Sequence, residues 1–233
     1  MKKFLYPLSL IYNFISELNR KLTKSRRLEK PVISVGNITW GGSGKTPIVI
    51  EIANYVSSMN KTPVVLSRGY ARKQKVSKPV IVRDKEKILA GLAVSGDEPY
   101  MISENVKCPV IVSKDRVQSS IAARQFNPDV FILDDGFQHW KIQRDLDIVC
   151  VNALDPFANG LIIPAGILRE KITALKRADI VILTNCVLCN KDKLDELNEK
   201  IIKITGKKPL MSSYGKTNIT DIDGKYQFSG EDL

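Results

Sequence analysis

Gly44, Lys45 and Thr46 follow Thr39-Trp40-Gly41-Gly42-Ser43 and open a run that reads as a helix, while Val32-Ile33-Ser34-Val35-Gly36-Asn37 upstream is apolar and rich in β-branched residues. Strand, glycine-rich turn and Gly-Lys-Thr at a helix start are the parts of a P-loop. The chemistry explains the residue types. Glycines let backbone N–H groups wrap a polyphosphate, and the helix start adds the positive end of its dipole. Lys45 reaches the outer phosphates, and Thr46 supplies a hydroxyl for Mg²⁺. The residues from Thr39 to Thr46 are therefore the binding loop for a nucleoside triphosphate, expected to be ATP. The usual pattern has Gly where Thr39 stands, so the loop must close by a different local turn, using the positive-φ freedom of Gly41 and Gly42.

A second chemical signal is Val130-Phe131-Ile132-Leu133-Asp134-Asp135-Gly136. An apolar strand ending in two carboxylates is a Walker B strand, and Asp134 and Asp135 are placed to hold Mg²⁺ directly or through water. A third is Gly96-Asp97-Glu98-Pro99, where two carboxylates meet the start of a helical segment; Asp97 is either its N-cap or a group available for chemistry. Arg68, in Ser67-Arg68-Gly69-Tyr70, follows the strand Thr62–Leu66, and Arg116 opens the helix after the strand Pro109–Val112. Both sit at strand ends, where parallel sheets place ligands.

These groups need a scaffold. Helices are expected over Pro47–Ser58, from Gly96, over Ser113–Ala123, after Arg169-Glu170 and over 191–204. Further strands are expected over Asp147–Val151 and Asp179–Asn185. Strands alternating with helices give an α/β P-loop NTPase-like fold, a mostly parallel sheet with helices on both faces. Residues 73–90 read as a surface hairpin or loop.

The chain has 233 residues, 43% of them hydrophobic, enough for one substantial core with a small appendage. Its formal net charge of +11 favours anionic partners: nucleotide, phospholipid surface, phosphorylated substrate or nucleic acid. Cys108, Cys150, Cys186 and Cys189 are few for this length and suit a reduced cytosolic protein. Cys186 and Cys189 have redox or zinc spacing, but no second pair supports it. Residues 1–27 form a basic amphipathic helix, with Phe4, Leu5, Leu8, Ile11, Tyr12, Ile15 and Leu18 at helical spacing before Arg20, Lys21, Lys24, Arg26 and Arg27. The segment fits neither a membrane span nor a signal peptide. Its apolar face either packs on the core or lies on an anionic membrane surface, and the cationic end favours the surface.

Taken in order, Val35-Gly36-Asn37-Ile38-Thr39 with its Gly-Gly-Ser-Gly-Lys-Thr-Pro loop, Leu66–Tyr70, Gly96–Pro99, Lys114-Asp115-Arg116, Asp134-Asp135-Gly136-Phe137-Gln138-His139, Pro164-Ala165-Gly166 and Leu168-Arg169-Glu170 resemble the tetraacyldisaccharide 4′-kinase (lipid A 4′-kinase) family. That family also carries Ser or Thr at the position of Thr39. The resemblance implies transfer of phosphate from ATP, with Mg²⁺, to the 4′-hydroxyl of a tetraacylated glucosamine disaccharide 1-phosphate in lipid A biosynthesis. It implies a peripheral protein on the cytoplasmic face of the Gram-negative inner membrane. It carries the base for the sugar hydroxyl onto Asp97, with Lys45 as its catalytic partner, and the metal role onto Thr46, Asp134 and Asp135. Arg68, Tyr70, Glu98, Arg116, His139 and Arg169 become substrate contacts, the arginines suiting phosphate groups.

The expected organisation is residues 1–27 as the membrane-associating helix, 28–214 as the kinase domain and 215–233 as a β-hairpin beginning an incomplete C-terminal lobe. The family's second lobe carries a histidine that works with the base, and His139, the one histidine, belongs to the Asp-Asp-Gly motif; the chain reads as truncated. Two rival readings use the same residues. A nucleotide-dependent membrane-binding switch would need the P-loop and basic helix but not Asp97 or the arginines. A nucleic-acid ATPase would use the charge, but no aromatic-rich basic stripe marks one. No nucleic-acid or protein partner is inferred.

Overall fold

The computed structural model describes residues 2–70, 72, 78–213, 219–220 and 227–228. Chain order is α1 (Tyr6–Leu22), β1 (Val32–Gly36), α2 (Lys45–Ser58), β2 (Pro63–Ser67), β3 (Val80–Arg83), α3 (Leu92–Ser95), α4 (Asp97–Asn105), β4 (Val110–Val112), α5 (Arg116–Ala122), β5 (Val130–Asp134), β6 (Leu146–Asn152), β7 (Ile180–Thr184), α6 (Lys191–Thr205), β8 (Leu210–Met211), β9 (Ile219–Thr220) and β10 (Gln227–Phe228).

An eight-stranded sheet runs β3-β4-β2-β5-β1-β6-β7-β8. β3 alone pairs antiparallel, and every other neighbour is parallel. Side chains alternate across this sheet as strand geometry requires. Val65, Val110, Val112 and Ile132 pack with Val49, Ala53 and Ile102 of α2 and α4 on one face. Val64, Leu66, Ile111 and Leu133 form a separate core with Val117 of α5 on the other. Beyond β1, Val149, Val151 and Leu183 pack with Leu197 and Ile201 of α6. Both faces of the parallel strands are covered, which is why they read as unbroken apolar runs.

Three expectations are corrected. Within 73–90, Val80–Arg83 is an edge strand of the main sheet, registered on β4 with a shift between Ile81 and Arg83; residues 73–77 lie outside the described residues. The segment after Glu170 is a 3-10 helix, Ile172–Arg177. The N-terminal helix ends at Leu22, not at residue 27. From there the chain runs extended, and Arg26 exchanges backbone hydrogen bonds with Lys141 and Gln143. Lys24, Arg26 and Arg27 are therefore not helical.

α1 does not bury its apolar residues. Leu8, Leu10, Ile11, Phe14, Ile15 and Leu18 are all exposed, as is Phe4 at 89%, so the packing reading of this helix is set aside. Its one buried residue is Ser9, whose Oγ donates to the Ile162 carbonyl at 2.8 Å and accepts from the Ala165 N–H at 3.1 Å. α1 thus clips to the 162–165 loop by a polar contact. Among the described residues no helix is long and apolar enough to cross a membrane. β9 and β10 pair antiparallel in a separate two-stranded sheet.

Candidate functional site

The glycine-rich loop lies between β1, the centre of the sheet, and α2, whose first residue is Lys45. Gly44 caps that helix in the left-handed region at φ 69°, and Gly41 has φ 116°. The left-handed positions are therefore Gly41 and Gly44, not Gly41 and Gly42. Thr39 needs no glycine freedom: it bridges antiparallel to Leu168, and the Trp40 N–H donates to the Ile167 carbonyl at 2.6 Å. Asn37 staples the loop from below, its Nδ2 donating to Ser43 Oγ at 2.7 Å. At the strand end, a Cβ on Gly36 would lie 2.5 Å from that of Phe137. Only glycine there lets the segment after Asp135 cross so closely.

Asp134 and Asp135 end β5 beside this loop. Asp134 is buried and accepts from Ser67 Oγ at 2.7 Å. Burial raises its pKa, the Ser67 hydrogen bond working against that rise. Asp135 stands at φ 52°, uncommon for a non-glycine residue. Burial would raise its pKa too, but Arg169 and Lys45 outweigh that and hold it below the usual carboxylate range. Arg169 Nη1 lies 2.9 and 2.8 Å from the two carboxylate oxygens, and Lys45 Nζ lies 3.8 Å from one of them. Buried Arg116 braces the backbone, its Nη2 donating to the Asp134 carbonyl at 3.0 Å and the Asp135 carbonyl at 3.4 Å.

A cavity of about 440 Å³ gathers Trp40, Gly41, Gly42, Lys45, Arg68, Tyr70, Glu98, Asp134, Asp135 and Arg169. Sequence-distant groups thus converge on one cleft above the strand ends. Burial, with Asp134 nearby, raises the pKa of Glu98. Ser43 is buried beneath the loop and Thr46 is partly buried in the first turn of α2. Asp97 is not among the residues lining this cavity. It is the first residue of α4, exposed, and the cap is Gly96 with no side-chain bond, so the N-cap reading of Asp97 fails. Its carboxylate still meets the positive end of the helix dipole.

Arg116 and His139 belong to a neighbouring cavity of about 260 Å³ that shares Arg68, Asp135 and Arg169 with the first and adds Lys114 and Lys141. Arg116 Nη1 lies 3.4 Å from His139 Nδ1. An arginine only donates, so Nδ1 accepts and the ring proton sits on Nε2. Burial, with Arg116 next to it, pushes the His139 pKa down to about 3. The ring is neutral at pH 7.

Three contributors are not singled out by the sequence. Ser67 orients Asp134 from the end of β2. Gln138 donates to the Asn37 carbonyl and to Glu170, each at 2.9 Å, and accepts from Arg169 at 3.2 Å. Its place inside the Asp-Asp-Gly-Phe-Gln-His run was the available signal. Tyr12 of α1 lines the main cavity, a contact between distant segments that no local pattern encodes.

A hard divalent cation suits the donors present. Among the described residues no three His, Cys, Asp or Glu side chains cluster as metal ligands. Mg²⁺ is usually held by one or two carboxylates together with substrate phosphates, and Asp134 and Asp135 line the cleft that also holds Gly41, Gly42 and Lys45 of the loop. The four cysteines are free thiols, Cys108, Cys150 and Cys186 buried.

Residues 1–223 match the sequence model of a family described as tetraacyldisaccharide-1-P 4′-kinase. A tetraacyldisaccharide 4′-kinase of Halothermothrix orenii is 41% identical over 201 residues, covering 83% of this chain and 52% of that protein. The crystal structure of LpxK from Aquifex aeolicus in complex with ATP superposes with TM-score 0.71 at 38% identity, over 78% of this chain and 58% of that one. The signal recognition particle receptor FtsY of Elizabethkingia anophelis, at 14% identity and TM-score 0.50, shares the fold alone. The chain spans about half the length of the curated relatives it matches.

Proposed function

The chain belongs to the tetraacyldisaccharide-1-P 4′-kinase family, and from that premise we propose that it transfers the γ-phosphate of ATP to the 4′-hydroxyl of a tetraacylated glucosamine disaccharide 1-phosphate. The observation that carries this reading is the single cleft in which Lys45 of the P-loop and the β5 carboxylates face Arg68, Tyr70 and Glu98. A phosphate donor site and an acceptor site share its walls.

In this mechanism the loop from Thr39 to Thr46 binds the triphosphate and Lys45 offsets charge on its outer phosphates. Thr46, Asp134 and Asp135 hold Mg²⁺, which when bound neutralises charge developing on the transferred group. Arg169 and Lys45, both drawn to Asp135, are within reach of incoming phosphate. Asp97 takes the proton of the sugar hydroxyl, and Glu98, which faces the cavity, contacts the acceptor. Arg116 and His139, with Lys114 and Lys141, line the basic cavity alongside, whose charge suits the 1-phosphate of the acceptor.

The exposed apolar surface of α1 lies on the cytoplasmic leaflet of the inner membrane, with Arg20 and Lys21 in its last turn toward anionic headgroups. Tyr12 joins that helix to the catalytic cavity, so the acceptor sugar is met at the membrane surface. The test is phosphate transfer from ATP to the lipid disaccharide 1-phosphate, measured against ATP hydrolysis. Hydrolysis unaccompanied by transfer would favour a membrane-binding nucleotide switch.

A further inference from the structure

Glu170 directly follows Arg169 and is a buried carboxylate. It is not in the walls of either cavity described above, so its role must come from its protein partners. Arg177, the last residue of the 3-10 helix, places Nη2 3.1 and 2.8 Å from its two carboxylate oxygens. That guanidinium is itself stacked, 4.5 Å from the Phe137 ring centroid and 5.0 Å from that of Trp140. A third donor is Gln138, whose Nε2 lies 2.9 Å from Glu170 Oε1. One short run after Asp135, Phe137 to Trp140, therefore grips both members of the Arg177–Glu170 pair.

The orientation of the Gln138 amide follows from these contacts. Its NH₂ sits between the Asn37 carbonyl and the Glu170 carboxylate, each 2.9 Å away, and both groups only accept. The amide oxygen is left facing Arg169 Nη1 at 3.2 Å, and an arginine only donates. This is the one orientation that satisfies all four groups. The same Arg169 nitrogen holds both oxygens of Asp135. A carboxylate outside the cleft thus fixes the acceptor that steadies a guanidinium inside it.

The arrangement needs Glu170 as a carboxylate. An amide in its place would have one oxygen, and that oxygen would turn to the Arg177 cation, since a charged donor binds about twice as strongly as a neutral one. NH₂ would then face NH₂ at Gln138. Flipping Gln138 relieves that clash only by turning a donor toward Arg169.

We propose that Glu170 is a positioning residue for phosphate binding: through Gln138 it holds the Arg169 guanidinium where the cleft presents it to the triphosphate. The proposal rests on the nucleotide reading above, in which Arg169 is within reach of incoming phosphate. Gln138 is the connecting piece, and Arg177 is the clamp that keeps Glu170 in place.

The test is a double-mutant cycle on the full chain, with Glu170→Gln, Arg169→Ala and the two combined. Mg-ATP affinity is read by calorimetry and stability by urea denaturation. Glu170→Gln should lower Mg-ATP affinity about fivefold, the scale of one hydrogen bond lost. Once Arg169 is replaced it should lower it less than about twofold, because a positioning residue acts only through the group it positions. Its shift of the urea midpoint should shrink in the Arg169→Ala background in the same way. A purely structural Glu170 gives equal losses in both backgrounds; that result, or unchanged affinity in the single variant, overturns the proposal. Gln138→Met cuts the link at its middle and leaves the Glu170–Arg177 pair intact. If Glu170→Gln does not fold, Gln138→Met takes its place in the cycle, with the same expected and overturning results. A wild-type chain that binds no Mg-ATP overturns the nucleotide reading. The urea cycle then separates the two claims: a shrinking shift keeps Glu170 as the residue that positions Arg169, and an equal shift removes it as well.

Discussion

Arg169 grips Asp135 with one nitrogen, Nη1, set 2.9 and 2.8 Å from the two carboxylate oxygens. The pair links the loop after β6 to the end of β5 and steadies a residue whose backbone is in a costly conformation. Charge-assisted hydrogen bonds of this kind contribute about 1.5–3 kcal/mol. Arg169→Ala should therefore destabilise the fold by that amount, and Arg169→Lys by less, because lysine keeps the charge but not the planar donor. Urea denaturation at pH 7 measures both; equal stability of all three proteins would show that the contact contributes nothing.

Lys45 has a separate role. Lys45→Ala removes the charge proposed to face the outer phosphates and should lower phosphate transfer by about 10²-fold or more. Asp135 retains Arg169, so the fold should persist by circular dichroism. A variant that still transfers phosphate at near the wild-type rate would mean that the triphosphate is bound elsewhere.

Asp97 and Glu98 stand side by side at the start of α4, and of the two only Glu98 lines the cavity. If Asp97 is the base, Asp97→Asn should lower kcat by about 10²–10⁴-fold with ATP affinity nearly unchanged, since the base acts in the transition state. Glu98→Gln should then act mainly on KM for the lipid. Kinetics on a short-chain acceptor, with ATP binding as control, separates the two, and the opposite pattern would move the base to Glu98.

Phe14 and Ile15 are 66% and 59% exposed on α1. Replacing both by Ser should weaken sedimentation with anionic vesicles at least about tenfold, as expected from loss of buried apolar area. Added salt should weaken the wild type further by screening Arg20 and Lys21. Equal sedimentation of wild type and variant would take α1 off the membrane.

His139 sets an acid limit on stability. Its pKa is about 3 in the fold against an ordinary 6.5, so between those values the unfolded chain binds the extra proton and the native state does not. Stability from this group is present above pH 6.5 and is lost as pH falls toward 3. His139→Asn, whose side-chain oxygen still accepts from Arg116, should flatten the profile in that window. Denaturation midpoints measured across it decide the matter; parallel profiles would place the acid sensitivity in other groups.

The local chemistry was legible from adjacent residues. The strand-loop-helix order, the paired carboxylates ending an apolar strand and the alternation of strands with helices are short-range patterns, read from residue type and spacing. Thr39 showed that the loop was irregular, but its reason lies in the pairing with Leu168, more than a hundred positions downstream. Val80–Arg83 has too short a pattern to identify as a strand, and it becomes one because β4 offers an unpaired edge. The basic amphipathic pattern of residues 1–27 is compatible with packing or exposure, and the Ser9 contacts leave the apolar surface outward. Which carboxylates face the cleft, which oxygens Arg169 holds, and that Glu170 meets Gln138 were decided by the tertiary structure. Those relationships join strand ends brought together by parallel crossovers, and spacing along the chain carries no record of them.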